Sequence, residues 1–187
     1  CVVLEAKKAF PQIKVCCGVE LGQALFEKEL SEEFLSKYDF DFVLGSVHNL
    51  KDMEDFYFLD YKQYDIYNLL QNYFNALLDL VKWNRTDSLA HLTYPLRYIV
   101  AREKINVDMS KFNDIIEEIF DTVIKNEKAI ELNISVLFLT LCLSTSFTGN
   151  TSSTFSIWGF SMFSINISTA LSPLAEIGCF TVVSPGV

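Results

Sequence analysis

Short apolar runs rich in β-branched residues lie at 13–19, 40–47, 88–91 and 129–133, and each has the length and composition of a buried strand. Between the second and third runs, Ile66, Leu69, Leu70, Tyr73, Phe74, Leu77, Leu78 and Val81 recur at i, i+3, i+4, i+7 spacing. That spacing lines one face of a helix over about 63–82. Phe112, Ile115, Ile116, Ile119, Phe120, Val123 and Ile124 repeat the pattern between the third and fourth runs. Asp108 or Ser110 is placed to cap this second helix, because a side-chain oxygen there accepts from the free N–H groups of the first turn. Strand alternating with helix implies parallel pairing, since parallel neighbours need a crossover that a helix supplies. The expected class is α/β, with a sheet covered on both faces or a barrel filled by side chains.

The pattern stops near Asn133. All 15 Lys and Arg residues precede Ile134, while the chain beyond it holds a single charge, Glu176, and is rich in Ser and Thr. Two unequal parts are expected: 1–135, and an apolar tail over 136–187 that loses charge, periodicity and motif together, as an out-of-frame or rearranged coding segment would; a genuine apolar C-terminal extension is the plainer alternative. The sequons at Asn133, Asn150 and Asn166 are what chance gives in such a tail. The apolar run 134–143 is half of the ~20 residues that a helix needs to cross a bilayer, so no membrane partner is expected. Residues 1–14 carry Glu5, Lys7 and Lys8, lack a signal-peptide core and do not begin with Met, so the start reads as the interior of a longer product.

The length of 187 residues and 50% hydrophobic content suit a globular domain. A net charge of -9 repels phosphate backbones and argues against nucleic acid as a partner. Five cysteines without paired metal spacing argue against a disulfide framework and for a reducing, cytoplasmic compartment. The vicinal Cys16 and Cys17 read as buried filler, since adjacent strand residues point to opposite faces.

Chemistry enters through position. Glu20, His48, His91 and Asn133 each stand at or just after the end of an expected strand, with separations of 28, 43 and 42 residues. A βα unit takes about 30 residues or more, so all four fall on neighbouring strands at one face, where α/β barrels carry active sites. The chain has two histidines and both are there. Imidazole and carboxylate together suit zinc, manganese or iron, and a carboxylate with two oxygens can bridge two ions. The plainer alternative is that each histidine hydrogen-bonds at a strand end.

Three stretches carry a resemblance: Val15-Cys16-Cys17-Gly18-Val19-Glu20-Leu21-Gly22, Asp41-Phe42-Val43-Leu44-Gly45-Ser46-Val47-His48-Asn49, and Asp87-Ser88-Leu89-Ala90-His91-Leu92-Thr93-Tyr94-Pro95-Leu96-Arg97-Tyr98. Their G-x-E, G-S-V-H and A-H motifs, in this order, resemble the PHP (polymerase and histidinol phosphatase) superfamily. Phe56 to Phe58 and the run from Thr93 to Arg97 point to its histidinol-phosphatase branch. The resemblance covers about 13–135 and implies an incomplete share of a distorted, seven-stranded β/α barrel with parallel strands. It also implies metal-dependent hydrolysis of L-histidinol phosphate to L-histidinol and phosphate in histidine biosynthesis.

On the same footing, Glu20, His48 and His91 would ligate divalent ions, with the glutamate able to bridge. Arg97, in the loop after His91, would hold the substrate phosphate through two parallel hydrogen bonds. Otherwise it is a surface arginine paired with an acidic neighbour. Phe56, Tyr57, Phe58 and Tyr61 read first as packing under a loop. Family members also carry a His-x-His motif on a first strand and an Asp-x-His motif near the end, and neither occurs here, so little or no turnover is expected of this chain. Glu131-Leu132-Asn133-Ile134-Ser135 still resembles a family strand. Two other functions stay open: a different phosphoesterase or nuclease on the same scaffold, and a non-catalytic module that kept part of the site.

Overall fold

In the computed structural model, residues 2–131 and 178–184 are described. Four parallel strands, β1 (Lys14–Gly22), β2 (Phe42–Ser46), β3 (Ser88–Leu89) and β4 (Ala129–Ile130), lie in the spatial order β4-β3-β2-β1. They follow the four expected runs with shifted ends, and Glu20 falls inside β1 rather than beyond it. The α/β class with parallel strands is therefore observed. A fifth strand, β5 (Gly178–Ser184), pairs antiparallel along β1 from Lys14↔Ser184 to Glu20↔Gly178. This strand lies within the tail over 136–187 and runs alongside β1. Phe180, Thr181, Val182 and Val183 are strong strand formers, but a run of four inside a long apolar segment carries no period of its own. Asn133, the sequons at Asn150 and Asn166, and the run 134–143 lie outside the described residues. No described helix is long and apolar enough to cross a membrane.

Helices α1 (Val2–Ala9), α2 (Lys28–Lys37), α3 (Ile66–Trp83) and α4 (Asn113–Lys125) accompany the sheet. The start of α3 is set by Asp65, whose carboxylate accepts from the N–H groups of Tyr67 and Asn68. Gln63 belongs instead to a short 3-10 turn, Tyr61–Gln63, capped by Asp60. At the other end Asn84 adopts a left-handed conformation (φ 57) and stops the helix. Asp108 caps a 3-10 turn, Met109–Phe112, that runs into α4, rather than capping α4 itself. Ile124 is 69% exposed, so the buried stripe of α4 is narrower than its spacing implied and consists of Ile116, Ile119 and Val123.

The core forms where these two stripes meet the sheet. Leu70, Tyr73, Phe74 and Leu77 of α3 are fully buried, and the Phe74 ring lies 5.2 Å from that of Phe112. Trp83 Nε1 donates to Glu32 across to α2 at 2.8 Å.

A repeated aspartate fixes the register at the end of the sheet opposite the histidines. Just before β2, the Asp41 N–H donates to Cys17 O at 2.7 Å while its carboxylate accepts from the Cys17 N–H at 2.7 Å. Just before β3, Asp87 grips Val43 of β2 in the same two-ended way, at 2.7 and 2.8 Å. Each side chain thus satisfies a backbone donor where the ladder begins. The Cys17 amide and then the Lys7 ammonium hold the Asp41 carboxyl below the usual carboxylate range.

Gly45 is pinned between β3 and α3: a Cβ there would lie 2.6 Å from Thr86 Cγ2 and 3.3 Å from Leu80 Cδ2. Thr86 is buried and cannot swing away. Gly45→Ala is expected to cost about 1–3 kcal/mol through overpacking, read from the urea midpoint. An unchanged midpoint would show that the strand slides to make room.

Candidate metal centre

The three ligand candidates come from three adjacent strands. Glu20 sits near the end of β1, in register with Leu44 of β2. His48 follows the last residue of β2 by two positions, and His91 follows the last residue of β3 by two. Ladder-like bonds continue past the strand ends, with Ala90 N–H donating to Gly45 O at 2.8 Å and Gln23 N–H to Ser46 O at 3.0 Å. Carried past the strand ends, the pairing Gly45↔Leu89 sets His91 opposite Val47, one residue from His48, so the two histidines stand just beyond neighbouring strand ends while Glu20 reaches toward them from within β1.

His48 Nε2 lies 3.0 Å from His91 Nε2. Glu20 Oε1 lies 3.3 Å from the first and 3.5 Å from the second. All three side chains are mostly sequestered, with 17%, 11% and 10% of Glu20, His48 and His91 exposed. Among the described residues this is the group of three or more His, Cys, Asp or Glu whose candidate atoms lie within 4.8 Å of one another. Burial raises the Glu20 carboxyl, but hydrogen bonds from His48 and His91 more than offset it and hold the group well below its ordinary range.

A single proton between the two Nε2 atoms leaves other lone pairs facing one another, whereas one divalent ion would engage all three atoms. The His91 Nδ1 atom is buried and has no hydrogen-bond partner among the described residues. A proton on Nδ1 frees Nε2 as a lone pair, the tautomer that a metal requires. The donor set thus fits zinc, manganese or iron by its chemistry.

The walls are aromatic and close-packed. The Tyr94 ring sits 4.9 Å from both His48 and His91, and its hydroxyl donates to Asp55 Oδ1 at 3.1 Å. Burial, and then its neighbour Tyr98, push that phenol well above its usual range, so it stays neutral. Tyr73 O–H donates to the His91 carbonyl at 3.3 Å, and Phe56 N–H donates to the His48 carbonyl at 2.9 Å. Below them, a Cβ at Gly22 would sit 3.7 Å from both His48 Nδ1 and Ser46 Oγ.

Arg97 is not drawn into this cluster. It is exposed at the start of a π-helical turn, Arg97–Arg102, and no hydrogen bond or ion pair joins its guanidinium to a described residue. Arg102 is the engaged arginine of this loop. It donates to the carbonyls of Tyr57 and Leu59 and lies 5.4 Å from the Tyr98 ring. The aromatic group divides: Phe56 and Tyr61 are buried packing, whereas Tyr57 and Phe58 are 55% and 69% exposed. Cys16 and Cys17 are half-buried rather than sealed filler. Sequence reasoning missed Tyr94 as a wall of the site, although its place three residues after His91 was a usable signal.

Comparison with known proteins bears directly on this geometry. The PHP domain family matches residues 2–135. A probable histidinol-phosphatase of Clostridium acetobutylicum is 31% identical over 121 residues, covering 64% of this chain and 47% of that protein. The histidinol-phosphatase of Lactococcus lactis is 31% identical over 128 residues, covering 65% and 46%. The fold resembles the crystal structure of the Lactococcus lactis histidinol phosphate phosphatase complexed with zinc, L-histidinol and phosphate. The TM-score is 0.57 at 26% identity, over 71% of this chain and 51% of that one. The chain spans about half the length of the curated relatives it matches.

Proposed function

The chain belongs to the PHP domain family, and on that premise we propose that it is a portion of a metal-dependent phosphomonoesterase that hydrolyses L-histidinol phosphate to L-histidinol and phosphate in histidine biosynthesis. One observation carries the reading: a carboxylate and two imidazoles from three neighbouring strands converge within 4.8 Å. The names of the relatives, and the zinc, L-histidinol and phosphate of the Lactococcus lactis structure, support the same chemistry. A divalent ion held there supplies an acidified water and charge stabilisation for the phosphoryl oxygens. Glu20, His48 and His91 are the residues that would hold it.

The remaining roles belong to the chain's own side chains. Tyr94, neutral and anchored on Asp55, covers the imidazoles on one side and excludes water from it. Arg97 offers an unengaged planar fork on the loop that follows His91, suited to a small phosphorylated substrate. The working compartment is cytoplasmic. Residues 1–135 form the phosphatase part, and 136–187 are an out-of-frame or rearranged tail. With three ligands and neither a His-x-His nor an Asp-x-His motif, this chain by itself turns over little or no substrate.

Arg97→Ala is expected to raise the dissociation constant for L-histidinol phosphate about tenfold or more in calorimetry, with zinc affinity unchanged. Equal substrate affinity in the two proteins would remove Arg97 from the phosphate site. Turnover of L-histidinol phosphate against single-stranded DNA, in a version with the missing motifs restored, tests the activity itself. Preference for DNA would favour a nuclease, and no hydrolysis of either would favour a non-catalytic module.

A further inference from the structure

At the site end of the sheet, β4 stops at Ile130, yet its grip on β3 extends one residue further. The pairing Leu89↔Ile130 puts Glu131 opposite Ala90. In a regular parallel ladder, Glu131 N–H would donate to Leu89 O and the His91 N–H would donate to Glu131 O. The first bond is present at 2.8 Å. The second is replaced: the His91 N–H donates to the Glu131 side-chain oxygen Oε2 at 3.1 Å. The carboxylate has taken over the last rung, and His91 stays tied to β4 through it.

We propose that Glu131 is the positioning residue for His91, holding its backbone so that Nε2 meets His48 and Glu20 at the metal centre. The His91 backbone is then fixed at both polar atoms, its N–H by Glu131 and its carbonyl by Tyr73 O–H at 3.3 Å. This matters because the usual anchor of a ligating imidazole, a partner on the other ring nitrogen, is missing among the described residues. Among the described residues, ring orientation comes from the backbone and from the Tyr94 ring packed at 4.9 Å. Glu131 acts through His91 and does not touch the site itself. The same device appears at the other end of the sheet in Asp41 and Asp87, where a side-chain carboxylate likewise takes a backbone N–H of the preceding strand.

The inference rests on the metal-site reading, and two readouts on the full chain separate them. In metal-free protein, the His91 amide should be protected from hydrogen exchange in the parent and in Glu131→Gln, whose amide oxygen still accepts. That protection should be lost in Glu131→Ala and in Glu131→Asp, which is too short to reach. In a cobalt titration followed by visible absorption, affinity should fall about 10- to 100-fold in the Ala and Asp variants and stay within about threefold in Gln. If Ala does not fold, the Asp and Gln variants give the same contrast. Unchanged His91 protection in Asp or Ala, or Gln weakened as much as Asp, would overturn the proposal. Intact exchange behaviour in a parent that takes up no cobalt would uphold the Glu131 clamp and sink the metal site alone.

Discussion

His48→Ala is expected to weaken zinc binding about 100- to 1000-fold. A structural zinc site with four ligands is worth about 10–16 kcal/mol, or roughly 3–4 kcal/mol per ligand, which is two to three decades in affinity. The loss is compounded here because His48 also anchors Glu20: its Nε2 lies 3.3 Å from the carboxylate, closer than that of His91 at 3.5 Å. Without it, the buried carboxylate keeps one imidazole and becomes more costly to leave ionised. Competition against a chromophoric chelator measures the change, with the thermal midpoint in excess chelator as the check on folding. A variant that folds and binds zinc within about threefold of the parent would show that the ion, if any, sits elsewhere.

Phe74→Ala should lower the unfolding free energy by about 3–5 kcal/mol, the range for emptying an aromatic site in a packed core. Phe74 has no exposed surface. Its ring lies 5.5 Å from Tyr73 in edge-to-face contact and 5.2 Å from Phe112 at the mouth of α4. Removing it opens a cavity and unties the two helices that cover the same face of the sheet. Tyr73, next along α3, is the residue whose hydroxyl holds the His91 carbonyl, so the damage should reach the metal centre as well. Urea denaturation of the two proteins gives the difference directly. Phe58→Ala, at 69% exposure, is the control and should change stability by less than about 0.5 kcal/mol. A Phe74→Ala loss below about 1 kcal/mol would mean that the core collapses around the gap.

What the sequence made legible was periodic or positional. The apolar stripes of α3 and α4 repeat often enough to identify both helices, and the four strand runs locate the sheet. Glu20, His48 and His91 stood out because strand ends at βα-unit spacing place side chains at one face, and they are the cluster found there. Less regular elements gave no comparable signal. Helix α2 buries none of its residues fully, so its stripe is too thin to read. The clamps of Asp41, Asp87 and Glu131 are tertiary bonds spanning 24 to 44 residues, and no local pattern announces them. Arg97 and Arg102 are five positions apart in one π-helical turn, a geometry that neither a 3.6 nor a 2.0 period describes. Spacing alone could not tell which of the two is tied to the 57–59 backbone and which is left at the surface.

The most direct measurement of the central claim is X-ray absorption at the zinc edge on the zinc-loaded chain, beside Glu20→Gln and His91→Ala. The geometry predicts a nitrogen and oxygen shell with the multiple scattering of two imidazoles, reduced to one in His91→Ala, and no sulfur. A sulfur shell, or two imidazoles retained in His91→Ala, would contradict a centre built from Glu20, His48 and His91.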